Sequence, residues 1–452
     1  MKSQPHLVTV GFYIIGTLLF SSAAIYNRFP LVYPDSGSYL QGLIEWHNLN
    51  ERPIFYSIFV GILHWQQTLW PIVVGQSILT VFVIERALAR LVPNVGVITK
   101  FGVLSMLTLA TSLPWFTGQI MADFFAPVMV LAVYLTAVER NCLAKWEYYT
   151  LLLILCVAQA SHYTHVGITL GLLTCLAVAA VIFKTPSLRN LMPVALTSAL
   201  AILAVMTVNF VARREISFSP YGSVFLLDRL IGYGTVQDYL NNHCRVEHYN
   251  ICRYLDEINQ PRRGTNWLLW GADSILPKLG GGEIYRFEAG RLAHAVVLDA
   301  PEGHFGLMLG ATLRQFFNFP TGRELGHLGE GMQIYRMVTT YFPSEADAYR
   351  HSRQYRGELN VNLVNAIDVP VAYISLLALL ALLSMRIRKC DTNFMIFSSV
   401  ILLALFGNAI LCGGLSSGEA RYQSRLISLV PLATAVGFLR AWPLRNQFKP
   451  TL

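Results

Sequence analysis

Ten apolar runs of bilayer-crossing length lie along this chain, at about 8–28, 70–89, 97–114, 121–139, 148–161, 165–184, 191–212, 369–386, 393–413 and 425–441. A helix of about 20 apolar residues matches the hydrocarbon thickness of a membrane. Backbone N–H and C=O groups find no partner in lipid unless they pair within the segment, so the predicted fold is all-α, a polytopic transmembrane helix bundle. Composition agrees: hydrophobic residues make up 54% of the 452 and charged ones only 13%, too little polar surface to clothe soluble domains of this size. Lys2 precedes the first run, and Tyr26-Asn27-Arg28-Phe29-Pro30 follows it in place of a small-residue cleavage site, so a retained helix is expected rather than a signal peptide.

The placement of charge predicts the faces of the bundle. A net charge of +8 could suggest nucleic acid, but the basic residues gather at the ends of apolar runs: Arg86 and Arg90, Arg140 and Lys145, Lys184 and Arg189, Arg386, Arg388 and Lys389, then Arg440, Arg445 and Lys449. That is the positive-inside pattern, so membrane lipids are expected partners and nucleic acid is not. It places both termini in the cytoplasm and turns the loops at 29–69, 114–120, 162–164, 213–368 and 414–424 outward.

Three parts follow: an N-terminal bundle with outer loops at 1–212, an extracytoplasmic and mostly helical loop domain at 213–368, and C-terminal transmembrane helices at 369–452. Segment 36–47 reads as a short interfacial helix and 53–65 as an apolar stretch too short to cross. The loop domain has helical stretches at 284–299 and 303–317 and no strand–glycine turn–helix pattern, so no nucleotide-binding fold is expected. Cys244 and Cys252 alone share a polar region and would pair in an oxidising compartment. A zinc site with His243 and His248 fits no familiar spacing.

Ionisable residues concentrate on the predicted outer face. Asp35 stands between a spanning run and an interfacial helix, where it could take a proton from a hydroxyl nucleophile or merely cap the helix. Asp123 lies at the start of an apolar run, where an acid needs water, a partner or a ligand, or the compensation of a helix dipole. His162 and His165 could bind phosphate, move a proton, ligate a metal or simply occupy a loop. Arg421 and Arg425 defy the positive-inside bias; a guanidinium pair there suits a phosphate, and pairing with Glu419 is the alternative. Acids and arginines on one rim, without a nucleotide fold, suit an enzyme whose donor is a lipid-linked phosphate.

The order of these features resembles the GT-C superfamily of membrane glycosyltransferases, which includes aminoarabinose and mannosyl transferases. The resemblance rests on Asp35 in YPDSGSYL, an Arg-Pro-x-x-Tyr element from Arg52 to Tyr56, Asp123 in the second outer loop, and Glu-x-Arg-Tyr from Glu419 to Tyr422. It implies transfer of a sugar from a polyprenyl-phosphate donor to a glycan, lipid or protein acceptor, with inversion, at the extracytoplasmic face of a bacterial-type inner membrane. Asp35 would be the catalytic base and Asp123 a second acidic site residue. Arg421 and Arg425, with His162 and His165, would bind the donor phosphate, and Tyr33, Arg52, Tyr56, Glu419 and Tyr422 would contact substrate. No soluble cofactor is required, and a divalent metal stays open because Ser36, not a second acid, follows Asp35. The alternatives are a transporter or flippase for a lipid-linked glycan and an oligosaccharide ligase or polymerase.

Overall fold

The computed structural model describes residues 5–46, 51–260, 266–323, 325–387 and 391–441. Lys2, His47, Arg388, Lys389, Cys390, Arg445 and Lys449 lie outside the described residues. The described chain is helical throughout, and its strand-like pairing is a single parallel bridge between Leu31 and Gln119.

In chain order the helices that build the site are α1 (Pro5–Phe20), α2 (Pro34–Ile44), α3 (Phe55–His64), α4 (Trp70–Leu91), α5 (Val97–Ala110), α6 (Phe125–Ala137), α7 (Lys145–Ser161), α8 (Tyr163–Phe183) and α9 (Leu188–Arg213). Beyond these come α10 (Gly222–Tyr233), α11 (Gly281–Asp299), α12 (Pro301–Phe316), α13 (Gln333–Tyr341), α14 (Val361–Ile387), α15 (Thr392–Ala409), α16 (Ala420–Ile427) and α17 (Leu429–Ala441).

Among the described residues, six helical stretches are long and apolar enough to cross a membrane: Trp70–Leu91, Tyr163–Phe183, Leu188–Arg213, Val361–Met385, Thr392–Gly414 and Ala420–Ala441. The other four predicted runs make shorter helices, for local reasons. The first breaks after Phe20 and ends at Arg28, whose left-handed backbone closes the turn Ser22–Asn27. The run at 97–114 leaves the helix at Thr111, which is extended, before a separate turn begins at Leu113 with Pro114 in its first position pair. The run at 121–139 is split by a 3-10 turn, Ala122–Phe124, and α7 is 17 residues long.

Every residue of α6 is buried. A helix apolar on all sides has no face to give to solvent and belongs at the centre. Here it packs against α4, α7, α9 and α15, so the 3-10 turn at its N-terminus, which carries Asp123, emerges on the bundle axis.

Charges also close the far end of the bundle. Arg86 bridges Glu85 and Glu147, Lys100 reaches Glu85 at 2.6 Å, and Arg440 pairs with Asp391 at 2.6 Å while donating to the Leu91 carbonyl. This ionic clasp gathers the ends of α4 and α17 with the starts of α5, α7 and α15. Asp123, the start of α8 and the end of α15 all lie at the opposite end, as the alternation of basic clusters predicts.

The region 213–368 divides in two. Residues from Val224 to Val296 form their own core around Leu227, Leu240, Trp267 and Leu292. Cys244 and Cys252 are joined there by a disulfide. The later stretch joins the bundle core instead, through Phe319, Ile334, Met337, Phe342 and Tyr349. It forms a strap over α2, where Gln333 accepts from Ser38 at 2.7 Å and Arg336 pairs with Glu45 at 2.6 Å. The contact is close: a Cβ on Gly37 would stand 2.6 Å from the Ile334 nitrogen.

Candidate functional site

Asp35 does not cap α2. The helix starts one residue earlier, at Pro34, and Ser36 supplies the cap by accepting the Tyr33 N–H at 2.8 Å. Ser36 in turn donates to the Ile120 carbonyl at 2.7 Å, fixing the helix start beside the turn that holds Asp123. The Asp35 carboxylate is thus free to face Arg52 at 2.7 Å and Arg421 at 3.9 Å, and its side chain is 23% exposed. Arg52 lies 5.3 Å from the centre of the Tyr39 ring, and Tyr39 meets Tyr56 edge-on at 4.7 Å. Burial pushes the Tyr39 phenol up, so it stays neutral beneath the guanidinium.

Tyr56 is expected at the substrate but is wholly buried, its hydroxyl donating to Gln76 at 2.6 Å. Gln76 also donates to the carbonyls of Thr117 and Gln119, both at 2.8 Å. The Arg-Pro-x-x-Tyr element therefore has two functions: its arginine faces the site, and its tyrosine anchors the platform below. An apolar stretch such as 53–65 hides this anchor, because nothing in its periodicity reveals which tyrosine turns inward.

Asp123 and Arg425 are both fully buried and form an ion pair at 2.5 Å. Arg425 donates further to Asn408 at 2.8 Å and to the Thr164 hydroxyl at 3.1 Å, with the Cys412 sulfur at 3.7 Å. Buried charges need this density of partners, since an unpaired one would carry its full desolvation cost. Arg425 is thus a structural cation rather than an open phosphate ligand, contrary to the expectation. Neither Asn408 nor Thr164 is among the residues the sequence marks for the site: Asn408, a polar residue inside the run at 393–413, carries a signal, and Thr164, in the loop 162–164, carries none. Asn408 stands where α15 gives way to a π turn, Ile410–Gly414, a wider coil that often marks functional positions.

Arg421 is the guanidinium that reaches the surface. It lies 4.2 Å from the Tyr33 ring centre and 4.7 Å from that of Tyr422, donates to the Tyr422 hydroxyl at 3.1 Å, and approaches Asp123 at 3.4 Å. Aromatic faces on both sides hold the flat group in one plane. Arg52, Asp35, Arg421, Asp123 and Arg425 consequently form one alternating chain of charge. Within it, three cations alternate with two anions.

Glu419 does not pair with Arg421. Its side chain accepts from Asn266 at 2.7 Å, and its carbonyl accepts from Gln315 at 2.8 Å, tying the site loop to the outer domain and to α12. Arg421, Tyr33, Trp115, Gln119, Arg323 and Glu419 border a cleft with about 400 Å³ of open space.

The two histidines differ. His165 is buried, and its Nδ1 lies 2.8 Å from the Ala158 carbonyl, which can only accept, so Nδ1 carries the proton. Its Nε2 is left a buried lone pair without a partner, unable as a neutral ring to donate to a phosphate. His162 has the opposite tautomer: Nδ1 accepts from the Thr164 N–H at 3.3 Å, leaving Nε2–H as a donor. The rings stack at 5.0 Å. Thr164 thereby links His162 to Arg425. Among the described residues no three His, Cys, Asp or Glu side chains gather as a metal site.

Compared with protein families, with curated proteins and with solved structures, the chain shows no match.

Proposed function

We propose that the protein is an integral membrane glycosyltransferase of GT-C type, moving a sugar from a polyprenyl-phosphate donor to an envelope acceptor at the extracytoplasmic face. In this reading the shorter apolar helices also cross the bilayer, giving about ten spans with both termini cytoplasmic. The observation that carries the proposal is Asp35: a partly exposed carboxylate at the head of a helix, between two guanidiniums of which one, Arg421, borders the cleft.

The acceptor hydroxyl oxygen attacks the anomeric carbon as its proton passes to Asp35. The bond from that carbon to the phosphate oxygen breaks, and the electron pair leaves with the polyprenyl phosphate. Arg421 faces the growing negative charge, with the neutral His162 Nε2–H as a further donor. Asp123 and Arg425 act as positioning residues, because the buried pair fixes where Arg421 can sit.

The test uses full-length protein in lipid vesicles with polyprenyl-phosphate sugars, and the measured quantity is polyprenyl phosphate released. Release that falls at least 100-fold in Asp35→Asn supports the proposal; unchanged release in that variant, or none from any donor with the native protein, sinks it. One observation favours a transporter instead: Asp368, buried within α14 with an Oδ2 that has no hydrogen-bond partner. Uptake of a lipid-linked glycan that survives Asp35→Asn and fails in Asp368→Asn would select that reading.

A further inference from the structure

The helix α12 is amphipathic in the reverse of the aqueous sense. Its inward side carries His304, Thr312 and Gln315, all buried, with Ala311 between them. The His304 Nε2–H donates to the Val296 carbonyl at 2.9 Å, and Gln315 donates to the Glu419 carbonyl. Outward, at intervals of four residues, stand Phe305 (62% exposed), Leu309, Leu313 and Phe317. A helix bathed in water hides such a stripe and shows its hydroxyls and amides. Exposed apolar surface of this continuity marks a partner or a membrane.

Three observations select lipid as that partner. Phe317 stacks on Tyr373 of the candidate span α14, and Tyr373 donates to the Phe317 carbonyl at 2.8 Å. The stripe is therefore continuous with the outward residues of that span, among them Ile374 and Leu377. Helix α12 also packs directly on the π turn that ends the span α15: a Cβ on Gly413 would stand 2.3 Å from the Gln315 Cβ, and one on Gly414 2.9 Å from the Met308 Cγ. Its charges, Glu302 in the first turn and Arg314 in the last, sit at the two ends, where long side chains can reach the headgroups.

We infer that α12 is immersed in the lipid leaflet on the site's side of the membrane, its Phe305, Leu309, Leu313 and Phe317 face in contact with acyl chains. The loop domain is then not a cap held wholly in water. Residues Thr321, Gly322 and Arg323, which follow α12 directly, line the cleft, so its mouth opens where lipid and water meet.

The experiment takes the full-length protein with the five cysteines outside the Cys244–Cys252 disulfide replaced, reconstituted in phosphatidylethanolamine–phosphatidylglycerol vesicles. A nitroxide at Leu309→Cys is compared with one at Leu377→Cys on α14 and one at the exposed Asp347→Cys on the strap, and Phe305→Cys gives a second report from α12. Collisions with oxygen at the α12 positions should exceed those with an aqueous nickel chelate several-fold, as at Leu377→Cys. Nickel access matching Asp347→Cys overturns the inference in favour of water. Protection from both reagents overturns it in favour of a protein cover, such as a second copy. None of these readouts depends on catalysis, so an inactive protein with a lipid-facing α12 would separate this inference from the glycosyltransferase reading.

Discussion

Arg425 and Asp123, 302 positions apart, meet in a wholly buried ion pair on the axis of the bundle. Neither has a route to water, and each completes the other's coordination together with Asn408, Thr164 and Arg421. The pair is the inner half of a five-residue chain whose outer half is Asp35 and Arg52, and Arg421 between the halves borders the cleft.

Removing one member of the inner pair leaves the other charged and enclosed. Asp123→Ala should therefore cost about 3–5 kcal/mol of stability, seen as a lower midpoint of thermal unfolding in detergent. Asp123→Asn keeps the shape and is expected to cost less. Replacing both residues, as in Asp123→Ala with Arg425→Met, should recover part of the loss, and a double variant no more stable than Asp123→Ala alone would count against the ion pair as the cause.

At Arg421 the geometry separates charge from shape. Arg421→Lys retains the cation but loses the flat group held between Tyr33 and Tyr422. In donor-binding measurements it should weaken affinity about tenfold, and Arg421→Gln more, while melting temperatures move little because the side chain reaches the surface. Equal affinity in the lysine variant would mean that the aromatic sandwich has no part in binding.

The outer domain has its own pH response. Asp228 is fully enclosed, and burial pushes its carboxyl up to about 7, although the Leu268 N–H donates to it at 2.8 Å. A carboxyl raised in the folded state binds its proton more tightly there than in the unfolded chain, so stability is greatest below about pH 4, declines as pH rises towards 7, and levels off beyond. Unfolding at pH 8 should come at lower temperature than at pH 5, with a difference of at most about 3 kcal/mol. Asp228→Asn should flatten the dependence.

Glu45 responds with the opposite sign. Hydrogen bonds from Arg336, then Gln41 and Tyr341, hold its carboxyl down to about 2. That contribution is present above the ordinary glutamate range and fades as pH falls from about 4.5 to 2. Protease cleavage of the strap around α13 should accelerate below pH 4, and Glu45→Gln should show the faster cleavage already at pH 7.

The members of the charge chain could be picked out in the sequence because Asp35, Asp123, Arg421 and Arg425 are each an expensive residue beside an apolar run. Their pairing could not. Which guanidinium goes inward depends on a one-turn difference at the start of α16, and Arg421 and Arg425 look alike until packing assigns one to the cleft and the other to the core. Glu419, two residues before Arg421 and six before Arg425, is the obvious partner in the sequence, but its side chain accepts from Asn266 instead. The histidine tautomers are set by one backbone carbonyl and one backbone N–H, and composition carries no trace of either. The shorter helices are a related case, since Thr111 and the 3-10 turn at Ala122–Phe124 interrupt runs whose hydropathy is unbroken. Helix α12 is the exception: the spacing of Phe305, Leu309, Leu313 and Phe317 was visible throughout, but only burial of the polar face shows that it points away from the protein.

The ionic clasp limits how this molecule can move. Helices α4, α5, α7, α15 and α17 are held at one extremity by Arg86, Lys100, Arg440 and their acids, and at the other Arg425 on α16 ties together α8, α15 and the turn before α6. A barrel fastened at both rims cannot swing one half against the other without tearing several charged contacts at once. Whatever opening a bulky ligand demands falls to the strap over α2, whose polar fastenings to Glu45 and Ser38 are only partly buried.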